Sequence, residues 1–347
     1  MSIGWGVIGA GGIADRRTIP EGILPAANAE LVAVMGVHPE RTSRIAAKYG
    51  VPGFTRVEDL LACDAVQAVY IAVPTYRHCD LAVQAMRAGK HVLCEKPMAM
   101  NPAECEQMIA VAEETQRKLA IGYMMRFHAC HRKLKEMIDA GELGTLVMGR
   151  AQLTCWYPRI EGAWRQDPAL GGGGALMDMG SHCIDLLEMF CGPAREVTAL
   201  SGNLVQDYPV EDSMVVALRF ASGALGIVDC HFNVPDEASV NMLEMYGSRG
   251  RVESRGTIGQ GSTGFLSAVL ATEVKGYEAA QKREEGGAVI IQPEVMTNIY
   301  QAEIEDVSEA ILHDREPTVT GADGLWGVRV CQAAYQSAAE GRTVKLG

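Results

Sequence analysis

Lys96, in the run Cys94-Glu95-Lys96-Pro97, and Asp178, His182 and Asp185 are the residues of this chain whose types and spacing suit chemistry on a small molecule. Asp178, His182 and Asp185 stand at i, i+4 and i+7, which on a helix places them on one face. Leu176, Met179, Cys183 and Leu186 fall largely on the other faces and read as packing. Oxidising a secondary alcohol needs a hydride acceptor, a group that takes the hydroxyl proton, and a donor that holds the oxygen. A lysine ammonium supplies the last. His182, with an unperturbed pKa of about 6.5, suits the proton. Asp178 would bind a neighbouring hydroxyl or orient His182, and Asp185 reads as structural. A metal site on the same face lacks an obvious third ligand, and zinc asks for three or more. No metal is expected.

These residues need elements to carry them. Ile3–Gly9, Leu31–Met35, Ala68–Val73, His91–Cys94 and Leu119–Tyr123 are short apolar runs suited to strands buried on both faces. Helical stretches alternate with them at Pro39–Tyr49, Val57–Ala62, Arg77–Ala88 and Pro102–Arg117. Alternation of this length predicts a doubly wound parallel sheet, with Lys96 at the carboxyl end of a strand. Beyond residue 123 the pattern changes. Helices are expected at His128–Ala140 and Ala175–Phe190. Strands are expected at Thr145–Cys155, Glu196–Val205, Ser213–Phe220, Ala224–Asn233, Val240–Tyr246 and Arg251–Ser254. Short glycine turns between the later strands imply an antiparallel sheet. Arg255–Gln292 reads as a long loop or lid, and Glu294–His313 and Gly321–Glu340 as closing helices. Two domains follow: 1–122, an α/β dinucleotide-binding unit, and 123–347, an α+β unit whose last helix returns to the first.

Gly9-Ala10-Gly11-Gly12-Ile13-Ala14 fits G-x-G-x-x-A between the first strand and a helix. Gly9 permits the tight turn, Gly11 admits a pyrophosphate to the backbone, and Ala14 lets helix pack on strand. The amides opening the helix then bind the anion. The end of the second strand, where a carboxylate would meet the adenosine ribose, is Gly36, followed by His38 and Arg41. With no carboxylate to repel a 2′-phosphate and Arg41 and His38 to pair with one, NADP(H) is favoured over NAD(H).

A formal net charge of −12 argues against a general nucleic-acid or anionic-membrane surface. No uncharged run approaches the roughly 20 residues of a membrane helix. The start carries no basic segment followed by an apolar run, so a cytoplasmic address is expected. The ten cysteines contain no C-x-x-C pair and read as small buried hydrophobes.

Gly89-Lys90-His91-Val92-Leu93-Cys94-Glu95-Lys96-Pro97, the run Gly171–Asp185 and the stretch Thr320–Trp326, taken with the glycine loop, resemble the family of glucose-fructose oxidoreductase, inositol dehydrogenase and the rhizopine-catabolism protein MocA. The resemblance runs over essentially the whole chain. Trp164-Arg165 and Arg41 look most like its NADP-using sugar-reductase branch, which includes 1,5-anhydro-D-fructose reductase. The resemblance implies an open-faced second sheet used for a homodimer or homotetramer, and a sugar-like substrate in a cleft between domains. It also implies Lys96, Asp178 and His182 as the catalytic trio.

The dinucleotide is expected to meet Gly9, Gly11, Gly12, Ile13, Gly36, His38, Arg41, Pro74, Thr75, His78, Glu95, Lys96, Pro97 and Arg126. Family members often carry asparagine where Thr75 follows Pro74, which puts a nicotinamide contact there in question. The substrate is expected to meet Lys96, Tyr123, Trp164, Arg165, Asp178 and His182, with Tyr300 a weaker candidate and Met124-Met125 core. Two other functions stay open. A redox-neutral glycosidase would hold NAD tightly, and a non-catalytic dinucleotide-binding regulator would have no need of Lys96 together with His182.

Overall fold

Covering residues 1–271, 276–277, 279 and 287–347, the computed structural model gathers the apolar runs of the first third into one six-stranded parallel sheet. Its strands are β1 (Ile3–Ile8), β2 (Ala29–Met35), β3 (Gly53–Phe54), β4 (Ala68–Ile71), β5 (His91–Cys94) and β6 (Leu119–Ile121). β1 and β4 are buried at every residue, as strands covered on both faces must be. Helices α1 (Pro39–Tyr49), α2 (Val57–Leu61), α3 (His78–Arg87) and α4 (Pro102–Thr115) connect them. Proline opens α1 and α4, and Gly50 closes α1 with φ +69°. The order β3-β2-β1-β4-β5-β6 reverses direction between β1 and β4. In such sheets the crevice outside the carboxyl ends at that point receives the ligand. β3 was not among the expected strands, because two residues leave no periodic signal.

The rest of the chain adds α5 (Ala129–Asp139), β7 (Leu146–Thr154), α6 (Pro168–Gly171) and α7 (Ser181–Cys191). After these come β8 (Ala194–Gly202), β9 (Ser213–Phe220), β10 (Leu225–His231), β11 (Leu243–Gly247), β12 (Gly250–Arg255), β13 (Phe265–Leu270) and β14 (Val289–Ile291). Helices α8 (Ile299–Leu312) and α9 (Gly321–Glu340) and the short β15 (Val344–Lys345) finish the chain. The nine strands form one sheet, β14-β13-β12-β11-β7-β10-β9-β8-β15, antiparallel except where β10 runs beside β7. Alternate residues of β9 are buried and exposed, so one face packs on the helices and the other is open. Val147, Val215 and Leu225 are exposed there.

Two expectations need correction. The stretch 255–292, read as a loop or lid, holds β13 and β14, whose side-chain pattern is too short and glycine-broken to read; 272–275, 278 and 280–286 lie outside the described residues. The penultimate helix starts at Ile299 rather than Glu294, where the Asn298 side chain accepts the Tyr300 amide.

Both closing helices reach the first sheet. α8 packs on the helical segment Ala14–Ile23, and the buried Trp5 indole of β1 donates to Ser308 Oγ at 3.1 Å. α9 lies between α4 and β6 on one side and β8 on the other, and its start is fixed by a capping box of Thr320 and Asp323. The cleft between the sheets is therefore braced from two directions.

Candidate active site

The glycine loop closes against the ends of β2 and β4. The amides of Gly9 and Ala10 both donate to Met35 O at 2.9 Å. Gly9 sits at φ +91°, and a Cβ there would lie 2.3 Å from Ala72 O. A Cβ on Gly11 would lie 2.4 Å from a terminal nitrogen of Arg41, so that guanidinium rests on the loop. Gly36 is required by Thr42, whose hydroxyl donates to Gly36 O at 2.9 Å in the space a Cβ would need. Gly12 and Ile13 open the next helix, where the first amides have no carbonyl of their own. His38 is exposed at the N-cap of α1. A cradle of free amides with a guanidinium over it fits a dinucleotide.

Lys96 follows β5 and reaches across the cleft. Its Nζ donates to the Asp178 carbonyl at 2.5 Å and to Asp178 Oδ1 at 2.9 Å. The same Oδ1 accepts from Arg165 Nε at 3.0 Å. The two cations hold the Asp178 carboxyl far below the usual carboxylate range, against its burial. Asp178 thus orients Lys96 and Arg165, and not His182. His182 is 5% exposed, with Nδ1 buried and unpartnered. Burial and the nearby Lys96 charge push its pKa well below the ordinary value, so the ring is neutral. Its ring meets Tyr123 edge-on at 5.8 Å.

Asp178 and His182 were expected on one regular helix. Between them the Ser181 amide reaches back to Leu176 O, a five-residue, π-type turn running into α7. Such turns recur at functional sites because they swing neighbouring side chains off the regular face. The start of this segment is fixed by Glu211, which sequence reading missed. Its carboxylate accepts the amides of Gly174 and Leu176, both at 2.9 Å, and the Tyr335 hydroxyl at 2.8 Å. The glycine run exists for this packing: a Cβ on Gly173 would lie 2.0 Å from Tyr335 Oη, and one on Gly174 2.1 Å from Glu211 O. No local signal ties Glu211 to the run, since it arrives just ahead of β9.

Several expected cofactor contacts are engaged elsewhere. His78 is buried, with Nδ1 2.9 Å from Pro97 O and Nε2 2.9 Å from Val73 O, so it braces the Lys96–Pro97 turn instead of facing the cleft. Arg126 gives Nε and one terminal nitrogen to Asp185, at 2.9 and 2.6 Å, and that same terminal nitrogen lies 3.0 Å from Asp323. Glu95 turns inward, accepting from the Tyr70 hydroxyl and from the Lys96 amide at 3.2 Å. Pro74 is half-buried, and Thr75 is fully buried with an unpartnered hydroxyl. One face of the Trp164 indole is covered by the Arg165 guanidinium at 4.2 Å, so no sugar ring can stack on that face. Tyr300 is 1% exposed, and Met124 and Met125 sit in the core. Among the described residues no group of three His, Cys, Asp or Glu is placed to hold a metal, and no helix is long and apolar enough to cross a membrane.

A glycine cradle at the switch point of a doubly wound sheet, facing a lysine, a carboxylate and a neutral imidazole, defines a dinucleotide-dependent oxidoreductase. The chain belongs to the Gfo/Idh/MocA family of NAD(P)-dependent oxidoreductases. Residues 3–123 match the model of the oxidoreductase family with NAD-binding Rossmann fold, and 131–253 match the GFO/IDH/MocA C-terminal domain. A 1,5-anhydro-D-fructose reductase of Ensifer adhaerens is 28% identical over 345 residues, 99% of this chain and 98% of the relative. An NADP(+)-dependent D-xylose 1-dehydrogenase of Haloferax volcanii is 28% identical over 99% of each chain. The crystal structure of an aldose-aldose oxidoreductase from Caulobacter crescentus superposes with a TM-score of 0.89 at 30% identity, covering all of both chains.

Proposed function

We propose that this protein transfers a hydride between NADP(H) and a carbonyl or secondary alcohol of a sugar, anhydro-sugar or cyclitol. One observation carries the reading: Lys96 is aimed across the cleft by Asp178, one helical turn from His182, whose imidazole is kept neutral by its burial and, secondarily, by the Lys96 charge. A bound nicotinamide supplies or takes the hydride. In the oxidative direction neutral His182 takes the hydroxyl proton while the Lys96 ammonium holds the oxygen. In the reductive direction Lys96 steadies the carbonyl oxygen and the same proton returns from His182 as the alcohol forms. Asp178 keeps the ammonium in place and reaches no proton itself.

Arg41, whose guanidinium lies on the glycine loop at Gly11, supports the preference for NADP(H). The open face of the nine-stranded sheet, with exposed Val147, Val215 and Leu225, supports pairing with a second copy of the chain as a homodimer or homotetramer. The expected address is the cytoplasm.

The test is a titration with NADPH and NADH followed by nicotinamide fluorescence, then turnover of 1,5-anhydro-D-fructose and D-xylose. The reading expects tighter NADPH binding, a preference lost in Arg41→Ala, and net turnover of at least one sugar. Equal affinity for both nucleotides would withdraw the NADP preference. No net turnover, or nucleotide that stays bound through purification and cycles without net reduction, would replace the proposal with the redox-neutral glycosidase.

A further inference from the structure

The start of α5 carries two histidines, His128 and His131, that hydride transfer leaves unused. Both are buried, 1% and 0% exposed, and their rings lie 5.0 Å apart. Their hydrogen bonds fix where each proton sits. His128 Nδ1 caps the helix by accepting the Cys130 amide at 3.1 Å, so Nε2 carries the hydrogen and donates to Thr263 O at 3.1 Å. His131 Nδ1 donates to Met125 O at 2.7 Å, and its Nε2 accepts from the Thr257 hydroxyl at 3.0 Å. Ser254 Oγ stands 2.6 Å from that hydroxyl oxygen. Each ring is therefore neutral, one nitrogen donating and the other accepting.

Thr257 and Thr263 belong to the loop 256–264 between β12 and β13, so the two rings hold it near both ends. The same loop carries Ser262, whose Oγ accepts the Ile299 amide at 3.0 Å at the start of α8. One residue earlier, the Asn298 side chain donates to Glu21 at 3.0 Å, and Glu21 pairs with Arg17 at 2.6 Å. Arg17 and Glu21 lie on the segment Ala14–Ile23, which leaves the glycine loop. Hydrogen bonds and short chain steps thus connect the histidines to the helix that follows the dinucleotide cradle.

A second proton on either ring disturbs this arrangement. On His128 it would set an N–H against the Cys130 N–H, which can only donate. Charge on both rings would place two cations 5.0 Å apart. Among the described residues no carboxylate bonds either ring to offset them. The charged groups on the elements around α5 are occupied elsewhere. Arg126 is held by Asp185 and Asp323, Glu188 by the Ala194 amide, Glu253 by Arg251 and Arg255, and Asp306 by Arg315, while Arg132 lies over the Phe127 ring. On α5 itself Lys133 pairs with Glu136 and Lys135 with Asp139. The loop 256–264 contains no charged residue. Burial accordingly pushes both rings below the ordinary histidine value, His131 down to about 3 with the His128 ring beside it.

We propose that His128 and His131 form an acid-sensitive latch, which in mildly acidic solution releases the loop 256–264 and, through Ser262 and Asn298, weakens the hold on the dinucleotide. Protons bind more readily to the released rings than to the latched ones. The latch is therefore intact above the ordinary value near 6.5 and loosens as pH falls below it, by up to about tenfold per pH unit for each histidine. The effect falls on nucleotide affinity and disappears when nucleotide saturates.

Hydrogen exchange of the 256–264 amides tests the latch without nucleotide, at about pH 7.5 and about pH 5 and corrected for the intrinsic rate. The proteins are wild type, His128→Asn and the double variant with His131→Gln. Asparagine keeps an acceptor for the Cys130 amide but has nothing in place of Nε2 and does not titrate. Wild-type protection should fall about tenfold or more at the lower pH while β4 and β5 stay protected. The fall should be smaller in His128→Asn and absent in the double variant. NADP⁺ affinity, by calorimetry over the same range, should drop at least about fivefold more in wild type than in the double variant. Titration of the 2′-phosphate and of His38 is common to both proteins and cancels in that comparison. Wild-type protection unchanged at about pH 5, or a fall of the same size in the variants, would overturn the latch. Release of the loop with equal NADP⁺ losses in both proteins would overturn its link to the dinucleotide. Exchange requires no turnover, so the latch stands or falls separately from hydride transfer.

Discussion

Asp178 Oδ1 answers two cations at once, Lys96 at 2.9 Å and Arg165 at 3.0 Å, and the chemistry of the site follows from that sharing. Replacing Asp178 by Asn keeps the shape but leaves two positive charges facing each other in a half-closed cleft. We expect kcat to fall about 100-fold and stability to fall by about 2 kcal/mol, below the 3–5 of a fully buried pair because solvent still reaches Arg165. Steady-state kinetics and urea unfolding would separate the two losses. His182 carries a prediction of opposite kind. Its pKa is depressed by burial and by Lys96, so protonation begins only well below pH 6.5. The kcat/KM for alcohol oxidation should therefore stay level as pH falls through 6.5 and drop only at lower pH. A break in the profile centred on 6.5 would show that the imidazole is solvated. In His182→Asn the rate should drop about 10²- to 10⁴-fold at every pH, as expected when a proton acceptor is removed.

The catalytic segment depends on packing as much as on charge. A methyl at Gly174 would meet the Glu211 backbone at 2.1 Å, so Gly174→Ala should displace the cap. About 2 kcal/mol of stability and most activity should go together, read by thermal melting and by rate. Further along α7, burial lifts the Glu188 carboxyl to about 8 although Ala194 N donates to it. A carboxyl whose folded pKa is raised binds its proton more readily folded than unfolded. Stability is thus fully present below the ordinary value near 4.5 and declines as pH climbs toward 8, by at most about 1.4 kcal/mol per unit. Glu188→Gln should flatten that decline, giving a higher melting temperature than wild type at pH 8 and little difference at pH 4.5.

The same elements show what the sequence could say. β1, β4 and β5 were legible because strands buried on both faces are unbroken apolar runs, and the glycine loop because its backbone conformation demands those residues. Lys96 was legible from its place after β5. Glu211 was not, since it reaches the catalytic segment from just ahead of β9 and lacks a local pattern. β13 and β14 were lost to their glycine-rich surroundings. His78 looked available from its position at the start of α3, but the two carbonyls that occupy its ring are a tertiary fact.

Across the whole molecule, α8 and α9 tie the nine-stranded sheet to the parallel one, so the cleft between Lys96 and Asp178 is held by elements from both ends of the chain. The open face of the larger sheet is free for association. Beside the exposed Val215 it carries Arg150 and Asp229, with the Asp229 carboxylate held by Arg150 at 3.3 Å. If a second copy covers this face, Val215→Asp should yield monomers in analytical ultracentrifugation with NADPH affinity unchanged. A wild type that sediments as a monomer would remove that interface. The central claim is hydride transfer at Lys96, and Lys96→Ala measures it most directly. NADPH binding and single-turnover reduction of 1,5-anhydro-D-fructose, or oxidation of D-xylose with NADP⁺, would be followed in wild type and variant. We expect NADPH affinity to change less than about tenfold while the hydride-transfer rate falls by about 10² to 10⁴. A variant that turns over as fast as wild type would contradict the account.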